Sequence, residues 1–287
     1  MSDLLIFGLG YSGHAIALAA RNAGFRVTAT SRRAVPQNLP DGISMIGFDA
    51  AASAIASATH IIATAAPDDH GDPVLARYAA QITNAEHLSW IGYLSTTGVY
   101  GNRDGGWVDE DTPPAPQSPR AERRVAAETA WSEIPNRTID IFRLAGIYGP
   151  GRSMFDDLRE GTARRVVKPG HLFGRIHRDD IAHGVLAAMR RPAPHGVSIF
   201  NFSDDEPAAS ADVVVEAAAL LGVTPPSPVA FTDALPAMSP MARSFWAENR
   251  RVANHKTKAL LGINWKYPTY REGLRAILIE ERGKGSP

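Results

Sequence analysis

Leu4-Leu5-Ile6-Phe7-Gly8-Leu9-Gly10-Tyr11-Ser12-Gly13-His14 decides the reading of the whole chain. Four consecutive apolar residues, Leu4 to Phe7, are what a strand covered on both faces requires. Gly8, Gly10 and Gly13 follow in the spacing Gly-x-Gly-x-x-Gly, and a helical pattern runs from His14 to Asn22 before Gly24 stops it. In such a strand-turn-helix the first glycine permits a tight turn. The second lets backbone approach a pyrophosphate, and the third lets the helix pack close to the strand. Free N–H groups at the helix start then face the phosphate charge. The motif alone is weak, but the strand before it and the helix after it supply its confirming context. Gly8, Gly10, Tyr11, Ser12 and Gly13 are therefore candidate contacts to a dinucleotide; an ordinary strand-to-helix turn is the plainer alternative.

Outward from this turn, strand-like runs recur at Phe25–Thr30, Ser44–Phe48, His60–Ala65, Leu88–Ser95 and Thr138–Phe142, with helical stretches such as Pro73–Ala85 between them. Alternation of this kind predicts an α/β fold, a Rossmann-type doubly wound parallel sheet with helices on both faces. Residues 101–119, dense in Gly, Pro and Asp, are expected to form a loop, and a helix is expected from Pro119 to about Glu133. After Gly149 the pattern loosens. Helices are expected at Asp179–Met189 and Ala211–Leu221, a strand at Val197–Phe202, and an irregular Pro-rich lobe from Thr224 to Pro240. The division expected is a dinucleotide-binding domain over 1–150 and a small C-terminal substrate lobe over 151–287, with some of its elements returning to the core.

The end of the second strand carries Ser31-Arg32-Arg33, where an NAD-preferring site usually places Asp or Glu for the ribose hydroxyls. Arginine would pair with the extra phosphate of NADP, which a carboxylate would repel. NADP is therefore the preferred cofactor and NAD the second choice. Asp49, after the third strand, is placed to accept from the adenine amino group or to cap the helix near Ala51. Ala65 and Ala66 at the end of the fourth strand leave room for a cofactor, or simply pack.

The balance of 30 basic and 30 acidic residues argues against a broad nucleic-acid surface or a polybasic membrane anchor. With no cysteine, disulfides, thiol nucleophiles and thiolate zinc sites are excluded. His171, His177 and His183 recur every six residues, which does not match a helical face, and no metal site is expected. Met1-Ser2-Asp3 leads straight into the first strand with no recognisable secretory signal, so a cytoplasmic monomer or homodimer acting on a small molecule is the expectation.

Five further segments carry a family resemblance: Leu94-Ser95-Thr96-Thr97-Gly98-Val99-Tyr100-Gly101, Glu110-Asp111-Thr112-Pro113, Phe142–Gly151, Arg175–Ala182 and Tyr267–Leu274. Together they resemble the extended short-chain dehydrogenases/reductases of the NAD-dependent epimerase/dehydratase-like branch. The resemblance implies a catalytic Ser or Thr on the fifth strand, matched here by Thr96 and Thr97 with Ser95 beside them. It also implies a Tyr-x-x-x-Lys pair on the next helix, in which tyrosine moves a proton while lysine holds the nicotinamide ribose. That pair is absent. Ser118, Pro119 and Glu128 set the register and put Arg120 at the tyrosine position and Arg124 at the lysine position, on one helical face. Arg124 could still bind ribose or phosphate. Arg120 stays protonated and cannot shuttle a proton, but it could steady an oxyanion or hold an anionic substrate. Alternatively both arginines pair with Glu110, Asp111 or Glu122. Tyr148 is the remaining candidate hydroxyl. These departures point to the atypical subgroup of the family, either as an oxidoreductase or epimerase with an altered site or as a catalytically silent NAD(P)-binding sensor or scaffold.

Overall fold

Leu4, Leu5, Ile6 and Phe7 are each at most 1% exposed, and they form the body of strand β1 (Asp3–Phe7) in a computed structural model that describes residues 2–32 and 39–284. In chain order there follow α1 (Tyr11–Asn22), β2 (Arg26–Ser31), β3 (Ile43–Gly47), α2 (Ala52–Ser57), β4 (His60–Ala63), α3 (Pro73–Thr83) and β5 (Trp90–Thr96). Next come β6 (Trp107–Val108), α4 (Pro119–Ser132), β7 (Thr138–Leu144), β8 (Gly146–Tyr148), α5 (Met154–Arg159), β9 (Arg165–Val167), β10 (Arg175–His177), α6 (Arg178–Arg190) and β11 (Gly196–Phe202). The chain ends with α7 (Ser210–Leu221), β12 (Pro228–Ala230), α8 (Phe231–Ala234), α9 (Pro240–Ala247), β13 (Arg251–Val252), α10 (His255–Leu261) and α11 (Tyr270–Lys284).

Seven strands form one parallel sheet in the order β11-β7-β5-β4-β1-β2-β3. The chain moves outward through β2 and β3, then crosses back to β4, so the strand order reverses between β1 and β4. That reversal is the switch point at which doubly wound sheets open a crevice beyond their carboxyl ends. The register brings the crevice together: Phe7 lies opposite Thr30 on one side and Ala63 on the other.

Each face of the sheet is covered by helices, which is why the strands are apolar on both sides. On one face α1 and α6 pack through Ile16, Ala17, Ala20, Ile181, Val185 and Ala188. On the other, α2, α3 and α4 contribute Ile55, Val74, Tyr78, Ile82 and Trp131. Two elements from beyond residue 150 thus complete the central layers: β11 is an edge strand and α6 a covering helix. A third cluster, with Phe155, Val213, Ala217, Tyr270, Leu274 and Ile277, holds α5, α7 and α11 together as the C-terminal lobe.

The observed elements refine the sequence expectations at their ends. The first helix begins at Tyr11 because Gly10, extended at φ −80° and ψ −165°, takes the N-cap. Inside the expected loop 101–119, Trp107 and Val108 pair with Arg251 and Val252, a partner 144 residues away that no local pattern announces. Within 224–239 there are only β12, α8 and a 3-10 turn at Leu235–Ala237, and α9 starts at Pro240. Among the described residues no helix is long and apolar enough to cross a membrane.

Candidate active site

The glycine turn is held from two sides. Gly8 has φ +101°, a conformation open to glycine at no steric cost, and a Cβ there would lie 2.7 Å from the Thr64 hydroxyl. A Cβ on Gly13 would run into the Gly8 carbonyl oxygen, so its absence sets how closely α1 approaches β1. Thr64 locks the arrangement from the next strand over, its hydroxyl donating toward the carbonyls of Gly8 at 2.7 Å and Phe7 at 3.1 Å. Gly10, by contrast, has no atom within 4 Å of where a Cβ would stand. The first turn of α1 has no side-chain cap. The result is a closely packed turn with one open position and no side-chain cap on the helix start, at the switch point.

The other candidate cofactor residues fall at or after the carboxyl ends of β2, β3 and β4. Ser12 is buried and Ala65 is half-buried, with the Ala65 nitrogen 3.7 Å from a Cβ on Gly8; Ala66 is exposed. Ser31 ends β2 and Arg32 follows it, exposed, whereas Arg33 lies outside the described residues. Asp49 sits in a 3-10 turn at Phe48–Ala50, 87% exposed on its side chain and 3.8 Å from Arg77 Nε. It does not cap the following helix, whose N-cap is Ala51 without a side-chain bond.

Beyond β5 the hydroxyls separate into two environments. Ser95 faces the interior and donates to Glu128 at 2.6 Å. Glu128 is also the bidentate partner of Arg143, at 2.7 and 3.1 Å, and the Arg143 guanidinium lies 4.8 Å from the Tyr100 ring centroid. Thr96 accepts from the Gly98 N–H at 3.1 Å, which fixes the chain's exit from the strand, and Thr97 is buried. From the C-terminal lobe, Arg250 reaches the same corner: it donates to the Gly101 carbonyl at 3.0 Å and pairs with Glu248 at 2.6 Å.

Helix α4 supplies the two arginines. Ser118 caps it and Pro119 occupies its first turn, as a helix start favours. Its inner face carries Ala121, Arg124, Ala127, Glu128 and Trp131. Arg124 is buried there because it donates to the Leu94 carbonyl at 2.7 Å and the Tyr93 hydroxyl at 3.1 Å. One turn earlier Arg120 is exposed. Partial burial of its guanidinium, together with the like charges of Arg124 and Arg152, lowers its pKa, although a guanidinium remains charged at physiological pH. Among the described residues neither Arg120 nor Arg124 forms an ion pair; Glu110 instead accepts from Thr257, and Asp111 pairs with Lys256.

Tyr11 gathers further arginines. Its hydroxyl donates to the Pro150 carbonyl at 3.0 Å, and the guanidiniums of Arg178 and Arg152 lie 5.0 and 5.7 Å from its ring centroid. Arg152, one residue past the Gly149-Pro150-Gly151 segment, was not singled out in the sequence. Its position directly after a glycine turn was the only available signal.

Tyr148 lies elsewhere. It is 8% exposed, packed beside Tyr270 and Leu274, with its hydroxyl 3.5 Å from the Thr269 carbonyl. Burial, then the nearby charges of Asp204 and Asp180, push its pKa far up. Its ring also borders a cavity of about 420 Å³ whose wall includes Arg152, Arg175, Asp157 and Tyr270. A larger cavity of about 530 Å³ lies between Trp107, Val252 and Asn254 and includes none of the glycine-turn or arginine residues. The histidines have separate tasks: His177 caps α6 by accepting from the Asp179 N–H at 3.1 Å, and His171 stacks on Trp246 at 5.3 Å.

The sheet order and glycine turn define a Rossmann protein with the fold of the extended short-chain dehydrogenases/reductases of the NAD-dependent epimerase/dehydratase kind. The chain belongs to one family with a functionally unknown conserved protein from Silicibacter pomeroyi DSS. The two are 43% identical, covering 98% of this chain and 99% of that one, with a TM-score of 0.88. It is also 25% identical to protein YeeZ of Escherichia coli K12, over 93% of this chain and 97% of that protein. The fold is shared with the human epimerase family protein SDR39U1, solved with NADPH, at 18% identity and a TM-score of 0.76, covering 96% of this chain and 98% of that one. No protein-family model matches the sequence.

Proposed function

We propose that the chain binds a nicotinamide dinucleotide, NADP(H) in preference to NAD(H), and acts as an oxidoreductase or epimerase whose proton handling does not run through a Tyr-x-x-x-Lys pair. The observation that carries this reading is the glycine turn: rigid at Gly8 and Gly13, locked by Thr64, and open only at Gly10, where a pyrophosphate would approach. Gly8, Gly10, Tyr11, Ser12 and Gly13 would hold the phosphates. Ser31, Arg32 and Arg33 would take the 2′-phosphate, Asp49 would lie beside the adenine, and Ala65 and Ala66 would make room between them. Arg124 has donors beyond the two it uses, and these would meet the nicotinamide ribose. Thr96 and Thr97 would border the substrate, and Ser95 would steady the strand end through Glu128. The cofactor supplies or accepts hydride when bound. The NADPH in the solved human neighbour agrees with this cofactor class.

A second reading, a dinucleotide-binding sensor without turnover, draws on Arg120 at the tyrosine position and on the burial of Tyr148. Titration of the protein with NADPH, NADP, NADH and NAD, followed by nicotinamide fluorescence and calorimetry, tests the first part. Binding of NADP(H) tighter than NAD(H), lost in Arg32→Ala and weakened by salt, is expected, since the discriminating contact is ionic. Equal affinities would remove the preference, and no binding of any dinucleotide would remove the reading itself.

A further inference from the structure

We infer that Arg250, carried in by the C-terminal lobe, is a substrate-binding residue: with the Thr96 hydroxyl it receives an acceptor oxygen of the substrate, a carbonyl or a carboxylate, at the open backbone of Gly98. The inference rests on the dinucleotide reading above and adds to it a residue and a chemical class for the second ligand. Three observations carry it. The first is a shared position. A Cβ placed on Gly98 would stand 3.4 Å from the Thr96 hydroxyl oxygen and 3.9 Å from Arg250 Nη2. Two side chains far apart in sequence thus face one small position, which glycine leaves unfilled. It lies past the carboxyl end of β5, at the strand ends where doubly wound sheets bind their ligands. Thr96, Gly98 and Arg250 each keep some exposure to solvent.

The second observation is how the arginine is held. Arg250 stands between two anchored residues. Asn249 accepts the Leu172 N–H at 3.2 Å, donates to the Gly170 carbonyl at 3.0 Å, and gives its own backbone N–H to Asn102 at 2.8 Å. Arg251 pairs with Trp107 in the β13–β6 ladder. The Arg250 side chain is fixed in turn through Nη1, which donates to the Gly101 carbonyl at 3.0 Å and to Glu248 at 2.6 Å. A guanidinium fixed beforehand loses less freedom on binding than a loose one. The third observation is the donors left over. Among the described residues Arg250 Nε and Nη2 make no hydrogen bond, and the Thr96 hydroxyl accepts from the Gly98 N–H without donating elsewhere. A guanidinium has donors and no acceptor, so the position selects an oxygen with lone pairs and rejects an ammonium. Glu248 offsets the charge of Arg250, and the guanidinium keeps its protons. Arg250 therefore orients the oxygen and does not replace the missing proton donor.

The test titrates NADPH-loaded protein with oxamate, which offers both kinds of oxygen, and with acetate, acetamide and ethylamine. Binding is read by ligand-observed NMR in the wild type, Gly98→Ala, Arg250→Gln and Arg250→Lys, and a circular dichroism melt checks each fold. Oxamate should bind saturably and ethylamine should not. Tighter acetate or tighter acetamide names the oxygen as carboxylate or carbonyl, and either order supports the seat. Gly98 lies outside the left-handed region, and a methyl group there stays at ordinary van der Waals distance from Thr96 and Arg250. Gly98→Ala should therefore melt with the wild type and yet bind oxamate at least about ten-fold more weakly, because the methyl group fills the position. Arg250→Gln should also weaken oxamate by about ten-fold, the loss of one charge-assisted hydrogen bond. Arg250→Lys keeps a cation beside Glu248 but lacks the second donor edge. The inference expects the same loss of oxamate there, whereas a purely structural latch would leave oxamate affinity unchanged. NADPH affinity should stay within about two-fold of wild type in Gly98→Ala. No saturable oxamate binding, ethylamine bound as tightly as oxamate, or unchanged oxamate affinity in Gly98→Ala or in both arginine variants overturns the inference. So does a larger loss of NADPH affinity in Gly98→Ala, since the position would then serve the cofactor. If Arg250→Gln fails to fold, Gly98→Ala and Arg250→Lys decide. If the wild type binds no dinucleotide, the functional reading fails on its own. The same titration of the free protein then decides the seat: oxamate binding that is lost in Gly98→Ala and Arg250→Lys supports it, and no such binding overturns it.

Discussion

Gly10 and Gly13 stand three residues apart in one turn, yet a methyl group at each meets a different surrounding. At Gly10 it enters open space on backbone that any residue can adopt. At Gly13 it meets the Gly8 carbonyl, and neither backbone can yield without moving α1 away from β1. A substitution at Gly13 therefore mixes lost binding with lost packing, whereas one at Gly10 isolates the ligand. Gly10→Ala should melt close to the wild type and bind NADPH at least about ten-fold more weakly, because the methyl group would occupy the phosphate's approach. Gly13→Ala should lose about 1–3 kcal/mol of stability from overpacking, with or without ligand. Unfolding curves of the free proteins, paired with NADPH calorimetry, give both numbers. Full NADPH affinity in Gly10→Ala would mean that the open position is not where phosphate lies.

At the scale of elements, the start of α6 turns a buried ring into a pH-dependent joint. His177 accepts the Asp179 N–H through Nδ1 and packs between Tyr148 and Tyr267. Burial lowers its pKa to about 4, against the opposing pull of Asp179. Its folded pKa lies below the unfolded value near 6.5, so the folded protein binds fewer protons between these limits. The ring's contribution is whole above pH 6.5 and is lost as pH falls toward 4. Between pH 6.5 and 5 that loss is about 2 kcal/mol. His171, also lowered to about 4 by burial and by Lys168, acts with the same sign. His177→Asn, which retains a capping acceptor, should show a shallower fall in urea stability from pH 7 to 5 than the wild type, while His171 preserves part of the slope. An identical slope would mean that the ring titrates alike in the folded and unfolded states and carries none of the pH dependence. Elements of this kind differ in how far sequence exposes them. The sheet strands, α1 and α4 were legible because local patterns specify them: apolar runs, glycine spacing, and Ser118-Pro119 at a helix start. The pairing of Trp107–Val108 with Arg251–Val252, and the Ser95–Glu128–Arg143 contact, were not, because each joins segments whose meeting is decided by the tertiary fold. In the candidate site the glycine turn could be read from spacing, whereas Arg120 and Arg124 were singled out by the family resemblance of the Ser118-Pro119 segment. Thr64 as a lock and Arg152 over the Tyr11 ring could not, since both make their contacts across a strand or loop boundary.

For the whole molecule, the question raised by the proposed function is whether a Rossmann core and a C-terminal lobe can move a proton with arginine at position 120. Hydride transfer to a carbonyl requires that the oxygen receive a proton or strong charge stabilisation. Arg120 can offer charge but not a proton. Thr96 already accepts the Gly98 N–H, and a threonine hydroxyl is a poor acid. Tyr148 has the chemistry of a donor, but the lobe claims it: α11 lies over the ring, its hydroxyl is directed to the Thr269 carbonyl, and burial pushes its pKa far up. Little or no reduction of simple aldehydes and ketones is therefore expected, and any turnover should favour substrates that supply their own proton. NADPH oxidation over a panel of such carbonyl compounds measures this, with robust turnover of the simple ones as the contrary outcome. Tyr148→Phe completes the test. If Tyr148 is part of the lobe's packing, the variant should lose about 1 kcal/mol of stability, the worth of one hydrogen bond, and bind NADPH as the wild type does. Any turnover present should also persist in it, because the ring contacts remain and only a hydroxyl directed to the Thr269 carbonyl is removed. A variant that stays as stable as the wild type yet loses turnover by orders of magnitude would show instead that the lobe moves to bring Tyr148 to the substrate, and that the proton donor has been relocated from α4 to β8.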